Sequence, residues 1–527
     1  MAGGLIELVA KGIIDLFLIS DPQITFFKIV YRRYTNFSTE IVPQSFTVKP
    51  DFGKRVTCIL SRTADLIRKM YLVITLPNIP IFKDENGNID PYLKFAWVKR
   101  IGYALIKRID IEIGDELIDR QYGDWLNIWN ELTLDKKTNI EKILGNVKEL
   151  TDFTNGKKMY KLFIPLQFWF NRNTGLALPI ISLQYNHIKV NLEIEEVEKC
   201  FILAPTHCIK IDNDFVNFKP FEFLKQTING ITSIARYVGF DVVTKKLYIS
   251  RYTDNPFCSI KQDLTEFEDE FEIREFLQND TNSKYSIFGL ESGFIAYPQL
   301  NSVERVYQSE TRHNLIRDLH LKEVFMLIEY IYLDVDERIR FAKARHEYLI
   351  EQLLYNGEQT VDTINKSYKL NFTHPCKELF WVAQLSLAQS KRVNQPFNYT
   401  NSIILDNNNN PIGENIIEGE TIIFNGLERL SFRDSEYFTD IQPYQYHSNA
   451  PETGINIYSF SLHPEKYQVS GSVNFTKLDF AELKTTVDCR INCKFTAKIR
   501  IYALVYNVLR IASGVTGLVF ANDINNY

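Results

Sequence analysis

Short runs of alternating apolar and polar residues, separated by turn residues, recur along this chain. That period of two marks half-buried β-strands. It predicts strands at Ser45–Val48, Arg55–Leu60 and Met70–Leu76, with a turn at Pro50-Asp51-Phe52-Gly53 between the first two. Ile109, Ile111 and Ile113 alternate within Leu105–Ile118, and Gly114-Asp115 supplies a hairpin turn. A further strand is expected at Leu162–Phe170, where Pro165 points to a sheet edge or a bulge, and Ile180–Ile194 closes the series. One segment changes period. Trp125, Ile128, Trp129 and Leu132 fall at i, i+3, i+4 and i+7, which predicts a helix over 124–132.

Ahead of these strands, Asp21-Pro22 opens a turn, because proline fixes its own φ and restricts its predecessor. Phe26, Lys28, Val30 and Arg32 then share one strand face, and Phe27, Ile29, Tyr31 and Arg33 the other. Both faces begin apolar and end in arginine, as in a strand leaving a core for a polar rim. From Leu5 to Ile19, Glu7, Lys11 and Asp15 fall on one helical face, opposite Leu5, Leu8, Val9, Ile13 and Leu16. This stretch is too short and too charged to span a bilayer, and its polar face is not basic enough to favour a lipid surface. It reads as an amphipathic arm that docks on a partner or under its own core.

Between about Glu198 and Lys322 the texture shifts to polar turns, with an acidic run from Glu266 to Glu275 that reads as a solvated face. Val324–Asp334 is again a strand, and Asp336–Lys343 a short charged helix that joins two halves. After it the strand series starts again in the same order. Lys69–Val73 has a counterpart in Glu378–Val382, Ile111–Glu116 in Ile423–Glu428, Leu162–Pro165 in Ile457–Phe460, and Tyr330–Leu333 in Tyr502–Tyr506. With 198–322 set aside as an insertion between the last two strands of the first half, each half has about 190 residues, enough for an eight-stranded jelly roll. The expected fold is therefore all-β: two tandem eight-stranded antiparallel jelly rolls with short helices and long loop insertions. The expected division is an N-terminal arm at 1–25, a first jelly roll at 26–337 with the insertion at about 198–322, and a second at 338–527.

Composition supports the β reading. The 527 residues include 37 Phe and 28 Tyr but only 4 Met, and aromatic side chains suit pleated surfaces. A length of 527 exceeds what one core serves and predicts two or three domains. A formal charge of −5 offers no basic field for nucleic acid, and Lys28, Arg32 and Arg33 are a solvated strand end. The seven cysteines, Cys58, Cys200, Cys208, Cys258, Cys376, Cys489 and Cys493, are odd in number and scattered, which fits reduced thiols and no disulfide framework. No positive n-region precedes the first apolar run, and Ala2 stands where myristoylation needs glycine.

The N-terminal block Asp21–Phe37, with the opening Met1-Ala2-Gly3-Gly4-Leu5, resembles the major capsid proteins of the large nucleocytoplasmic DNA viruses. So do Gln121–Leu132, Ile164–Phe170, Gly175–Pro179 and Leu183-Gln184-Tyr185 in the first half. The resemblance continues through Asp334–Arg340, His346–Gln352, Gln442–Gln445, Gly454–Phe460 and Tyr506–Ile511. It implies a structural, non-enzymatic subunit of two jelly rolls, assembling as a homotrimer into pseudo-hexagonal capsomers of an icosahedral outer shell. It also implies neighbouring capsomers, minor capsid proteins and penton proteins as partners, an internal viral membrane on the N-terminal side, and assembly in the host cytoplasm. The insertion has no counterpart in the family's common core.

Candidate chemistry is sparse. Cys200, His207 and Cys208 lie close in sequence, and Cys489 and Cys493 are four apart, but a lone CxxxC lacks the matched second pair of a zinc site. His346-Glu347 begins like a zinc-protease motif, yet position 350 is Ile. His374 and Cys376 could pair as base and nucleophile across Pro375, and Ser513–Gly517 is small and glycine-containing without a phosphate-loop lysine. No G-x-S-x-G, Walker A or G-x-G-x-x-G spacing occurs. No catalytic, cofactor-binding or metal-ligating residue is therefore assigned. Sequons stand at Asn36, Asn279, Asn365, Asn371, Asn398 and Asn474, and several relatives in the resembled family carry glycans. Two other functions fit an all-β fold: a minor or penton-like capsid paralogue, and a jelly-roll carbohydrate-binding or metal-dependent protein.

Overall fold

The computed structural model describes residues 21, 33–83, 87–133, 139–228, 231–251, 285–306, 319–391, 393–406, 409–493 and 495–520. Apart from Asp21 and Arg33, the expected arm at 1–25 and strand at 26–33 lie outside the described residues, as do the acidic run 266–275, Cys258 and Asn279.

Eight principal strands form the first sandwich: β1 (Phe37–Ser45), β2 (Arg55–Ile59), β3 (Leu66–Leu76), β4 (Ile106–Ile113), β5 (Glu116–Gln121), β6 (Tyr160–Pro165), β7 (Ile188–Ile194) and β8 (Glu323–Leu333). One sheet runs β1-β8-β3-β6 and the facing sheet β2-β7-β4-β5, with every pairing antiparallel. The second sandwich has β9 (His346–Val361), β10 (Asn365–Lys369), β11 (Pro375–Leu385), β12 (Ile417–Phe424), β13 (Leu427–Asp434), β14 (Ile455–Ser459), β15 (Ala481–Val487) and β16 (Ala497–Ala512). Its sheets run β9-β16-β11-β14 and β10-β15-β12-β13. Each strand occupies the place of its counterpart eight positions earlier. Two jelly rolls in tandem are the result.

The alternation that predicted the strands is what fills the cores. Met70, Leu72 and Ile74 of β3 point inward in the first sandwich, and Leu379, Trp381 and Ala383 of β11 do the same in the second. The counterparts paired by sequence fall on equivalent strands in all four cases. The hairpins correspond one residue away from the letter match: Ile113 faces Glu116 across Gly114-Asp115, and Phe424 faces Leu427 across Asn425-Gly426. Glycine is required in both turns, since Gly114 and Gly426 have φ of +61° and +80°.

Several boundaries differ from expectation. The first described strand is Phe37–Ser45, and Thr47-Val48 bends away from it; its residues are mostly exposed, so no buried alternation marks it. β6 ends at Pro165 and lies at a sheet edge, while Trp169–Arg172 forms a helical turn in which Asn171 Oδ1 accepts from the Phe168 N–H at 3.2 Å. Ile180–Ser182 is a single 3₁₀ turn, and the strand begins only at Ile188. The predicted helices are present as α1 (Gly123–Thr133) and α2 (Val335–Lys343).

The segment between β7 and β8 is more than polar turns. It contains a seven-stranded sheet, including Phe223–Ile228, Ile231–Asp241 and Lys246–Arg251, around its own core of Ile209, Ile211, Leu224, Leu247, Ile249 and Ile287.

Candidate functional site

Buried polar groups concentrate where the two sandwiches meet. The sheet carrying β11, β14 and β16 is covered on both faces. Trp381 and Ile501 face the second core, whereas Phe380, Ile457 and Tyr502 join the core of the first sandwich. Double-sided burial explains why β11 is apolar almost throughout.

Helix α1 is the first sandwich's contribution. Its i, i+3, i+4 stripe sets Trp125 and Trp129 in a stack 5.6 Å apart, and Trp129 meets Phe380 edge-on at 6.4 Å. At its start, Asp124 anchors the second sandwich. Arg500 Nε lies 3.0 Å from Asp124 Oδ2, the Tyr502 hydroxyl donates to the same oxygen at 2.9 Å, and the Tyr399 hydroxyl donates to Oδ1. Burial beside Asp124 drives both tyrosines well above their ordinary range, so these hydroxyls keep their protons and donate.

The sheet edges close a second contact. The Leu353 N–H of β9 donates to Asp119 Oδ1 of β5 at 3.0 Å, and Gln352 Nε2 donates to the Ile118 carbonyl. Burial pushes the Asp119 carboxyl up to about 7. Further along, Arg172 reaches Glu351 at 2.9 Å with its guanidinium over Trp129, and Lys377 pairs with the same glutamate. Arg100 ties Glu131 and Glu141 to Glu452 of the second sandwich. A cleft of about 870 Å³ opens beside Asp124 and Arg500. Its charges are paired with one another: Lys107 with Glu193, Lys199 with Glu195, Lys498 with Glu358. This arrangement fastens two bodies together.

The residues singled out by sequence do not converge on chemistry. Cys58, Cys200, Cys208 and Cys376 are buried, and Cys489 and Cys493 are exposed. Burial pushes the Cys58 and Cys208 thiols up to about 11, away from thiolate reactivity. Cys376 Sγ donates to the Glu378 carbonyl at 3.3 Å, and His374 Nδ1 sits 2.7 Å from the Thr373 hydroxyl, so the two do not form a nucleophile–base pair with each other. His346 Nε2 lies 2.7 Å from the Phe341 carbonyl. Ser513-Gly514 is the turn between β16 and Val515–Leu518. Among the described residues no cluster of His, Cys, Asp and Glu has the makings of a metal site, and no helix is long and apolar enough to cross a membrane. Asn36, Asn365, Asn371 and Asn474 are exposed, whereas Asn398 is buried and spends its amide on Gln395 and Ser402.

The junction itself was not foreseen from sequence. Asp124 and Trp129 lie inside the Gln121–Leu132 motif and Gln352 ends the His346–Gln352 one, but Asp119, Leu353 and Arg500 carry no local signal, since their partners are remote in the chain.

Comparison with known proteins identifies the setting. Residues 25–240 match the family described as "Major capsid protein N-terminus", and residues 337–517 match "Large eukaryotic DNA virus major capsid protein". The chain is 42% identical to "Probable capsid protein 4" of Acanthamoeba polyphaga mimivirus, over 99% of each. It is 32% identical to the major capsid protein of Phaeocystis pouchetii virus, over 99% of this chain and 100% of that one. Among solved structures it resembles the PBCV-1 capsid subunit, with a TM-score of 0.60 at 23% identity over 94% of this chain and 100% of that one. The Faustovirus major capsid protein gives a TM-score of 0.63 at 11% identity over 95% and 94% of the two chains. A duplicated sandwich whose buried polar groups serve to join its halves, set beside full-length relatives of this kind, places the chain in the major capsid protein family of the nucleocytoplasmic large DNA viruses, with a structural role in the virion capsid and no enzymatic one.

Proposed function

We propose that three copies of this chain assemble into a pseudo-hexagonal capsomer, and that capsomers tile the outer shell of a large icosahedral virion. The observation that carries this reading is the duplication: two sandwiches of identical strand order, fastened edge to edge within one chain. Three such chains around an axis present six near-equivalent lobes, and a six-lobed ring tiles a surface with one gene product. On this reading the chain divides into an arm (1–25), a first jelly roll (26–337) carrying the insertion at about 198–322, and a second jelly roll (338–527). Its partners are further copies of itself, minor capsid and penton proteins, and the internal viral membrane on the arm's side. Assembly takes place in the host cytoplasm without direct contact to nucleic acid. On this reading no residue is assigned a catalytic, cofactor-binding or metal-ligating role.

Light scattering on the purified full-length chain tests the reading. A stable particle of three times the chain's mass is expected, and a clean monomer at micromolar concentration overturns it. Deleting Met1–Ser20 is expected to leave folded sandwiches that no longer form a lattice.

A further inference from the structure

The two sandwiches repeat one another, but their surroundings differ. β5 is buried from Ile118 to Gln121, where it meets β9. β13, the same strand of the second sandwich, is exposed at every position but Leu430. The other side of the junction behaves alike. β9 is buried through Gln352–Leu354, whereas β1, its first-sandwich counterpart, is exposed from Phe37 to Ile41. Among the described residues, each chain thus holds one joined edge pair and keeps one edge of each kind open.

Backbone register assigns the equivalent residues. In β5 the ladder skips Ile118, pairing Leu117 with Glu112 and Asp119 with Ile111. In β13 it skips Arg429, pairing Glu428 with Ile423 and Leu430 with Ile422. The bulge sits at the same distance from both hairpin turns, so Arg429 stands where Ile118 does and Leu430 where Asp119 does. On the other side, aligning Lys69–Val73 with Glu378–Val382 brings Ile328 of β8 to the place of Ala503 of β16. Val42, opposite Ile328, is then the counterpart of Leu354, opposite Ala503. Ile41 consequently matches Leu353, and Glu40 matches Gln352.

We infer that the open edges cover each other between copies: Arg429 and Leu430 of one chain lie against Glu40 and Ile41 of the next. This rests on the capsomer reading and adds to it the residues that form the seam. Within the chain, the contact is a polar clamp in which Gln352 and the Leu353 N–H grip Ile118 and Asp119. Between chains, the same positions supply opposite charges, Arg429 and Glu40, beside an apolar pair, Leu430 and Ile41. Ile41 is 57% exposed in the single chain, an apolar side chain at a place whose counterpart is buried. The flank follows the same rule. Trp129, in the connection after β5, covers Phe380, whereas the connection after β13 leaves Ile441 and Tyr444 44% and 88% exposed. The contact is head-to-tail, since β13 of each copy meets β1 of its neighbour, and with a rotation of about 120° per copy such contacts close into a ring of three.

Charge exchange tests the seam. Arg429→Glu and Glu40→Arg both alter exposed side chains, so the circular dichroism spectrum is expected to stay as in wild type, while the melting temperature falls only as far as assembly is lost. Each is expected to raise the concentration at which the trimer dissociates by about tenfold or more, because like charges then face each other in the seam. The R429E/E40R double variant is expected to return it to within about threefold of wild type, as a charge pair restored in reverse does. The seam is overturned if both single variants assemble as wild type does, or if the double variant is no better than the weaker single one. A trimeric wild type with indifferent variants overturns the seam and leaves the capsomer standing. A monomeric wild type removes both.

Discussion

The backbone N–H of Leu353 donates to the Asp119 carboxylate at 3.0 Å, although 234 residues separate them. One edge strand thereby caps another across the boundary between two sandwiches, with the acceptor almost wholly buried. Removing that acceptor leaves the Leu353 N–H without a partner in a place water does not reach. Asp119→Ala is therefore expected to cost about 1–3 kcal/mol. A lowered melting temperature, with each sandwich's secondary structure intact by circular dichroism, checks this.

Asp124 is the counter-charge for Arg500 and takes hydroxyl donors from Tyr399 and Tyr502. Asp124→Asn keeps the shape and removes the nearer charge, leaving a guanidinium that is 11% exposed with only Glu358, at 3.5 Å, as its counter-charge. Leaving a buried charge uncompensated costs about 3–5 kcal/mol, and the remaining Glu358 keeps the loss below that range. The expected outcome is faster limited proteolysis between the sandwiches, while the isosteric change leaves each sandwich folded.

Glu420 sits inside the second sandwich, with Oε1 accepting from Trp381 Nε1 at 3.2 Å and Oε2 without a hydrogen-bond partner among the described residues. Burial pushes its carboxyl up to about 8, from an ordinary value of 4.5. The folded state therefore holds this proton more tightly than the unfolded chain does. Its contribution to stability is fully present below about pH 4.5 and is lost as pH rises through about 8. Glu420→Gln is expected to flatten that slope, read as the urea midpoint at pH 5, 6.5 and 8.

Thiol accessibility follows burial. A water-soluble maleimide is expected to label Cys489 and Cys493 in the native protein and to spare Cys58, Cys200, Cys208 and Cys376 until denaturant is added. Peptide mapping of the labelled protein checks it.

Elements with a buried face were legible from local pattern. Ile109, Ile111 and Ile113 alternate because β4 has one face in the core, and Trp125, Ile128, Trp129 and Leu132 recur helically because α1 is buried along one stripe. Two exposed edge strands hid for the converse reason. β1 and β13 face little within the chain, so selection for a buried face left no period to read. The inserted sheet had its signal, since Phe223–Ile228 alternates between buried and exposed positions, but it belongs to no part of the internal repeat and was set aside with it.

That this chain is built from strands, that it is duplicated, and to which family its motifs belong were all readable from the residues alone. Each of those depends on neighbours in the chain or on letter-by-letter likeness. Which edges are joined and which are open is a matter of how the two sandwiches pack. Asp119 and Leu353, or Asp124 and Arg500, become partners when two separately folded sandwiches dock, and docking energy is a property of surfaces brought together from distant segments, which no local spacing records.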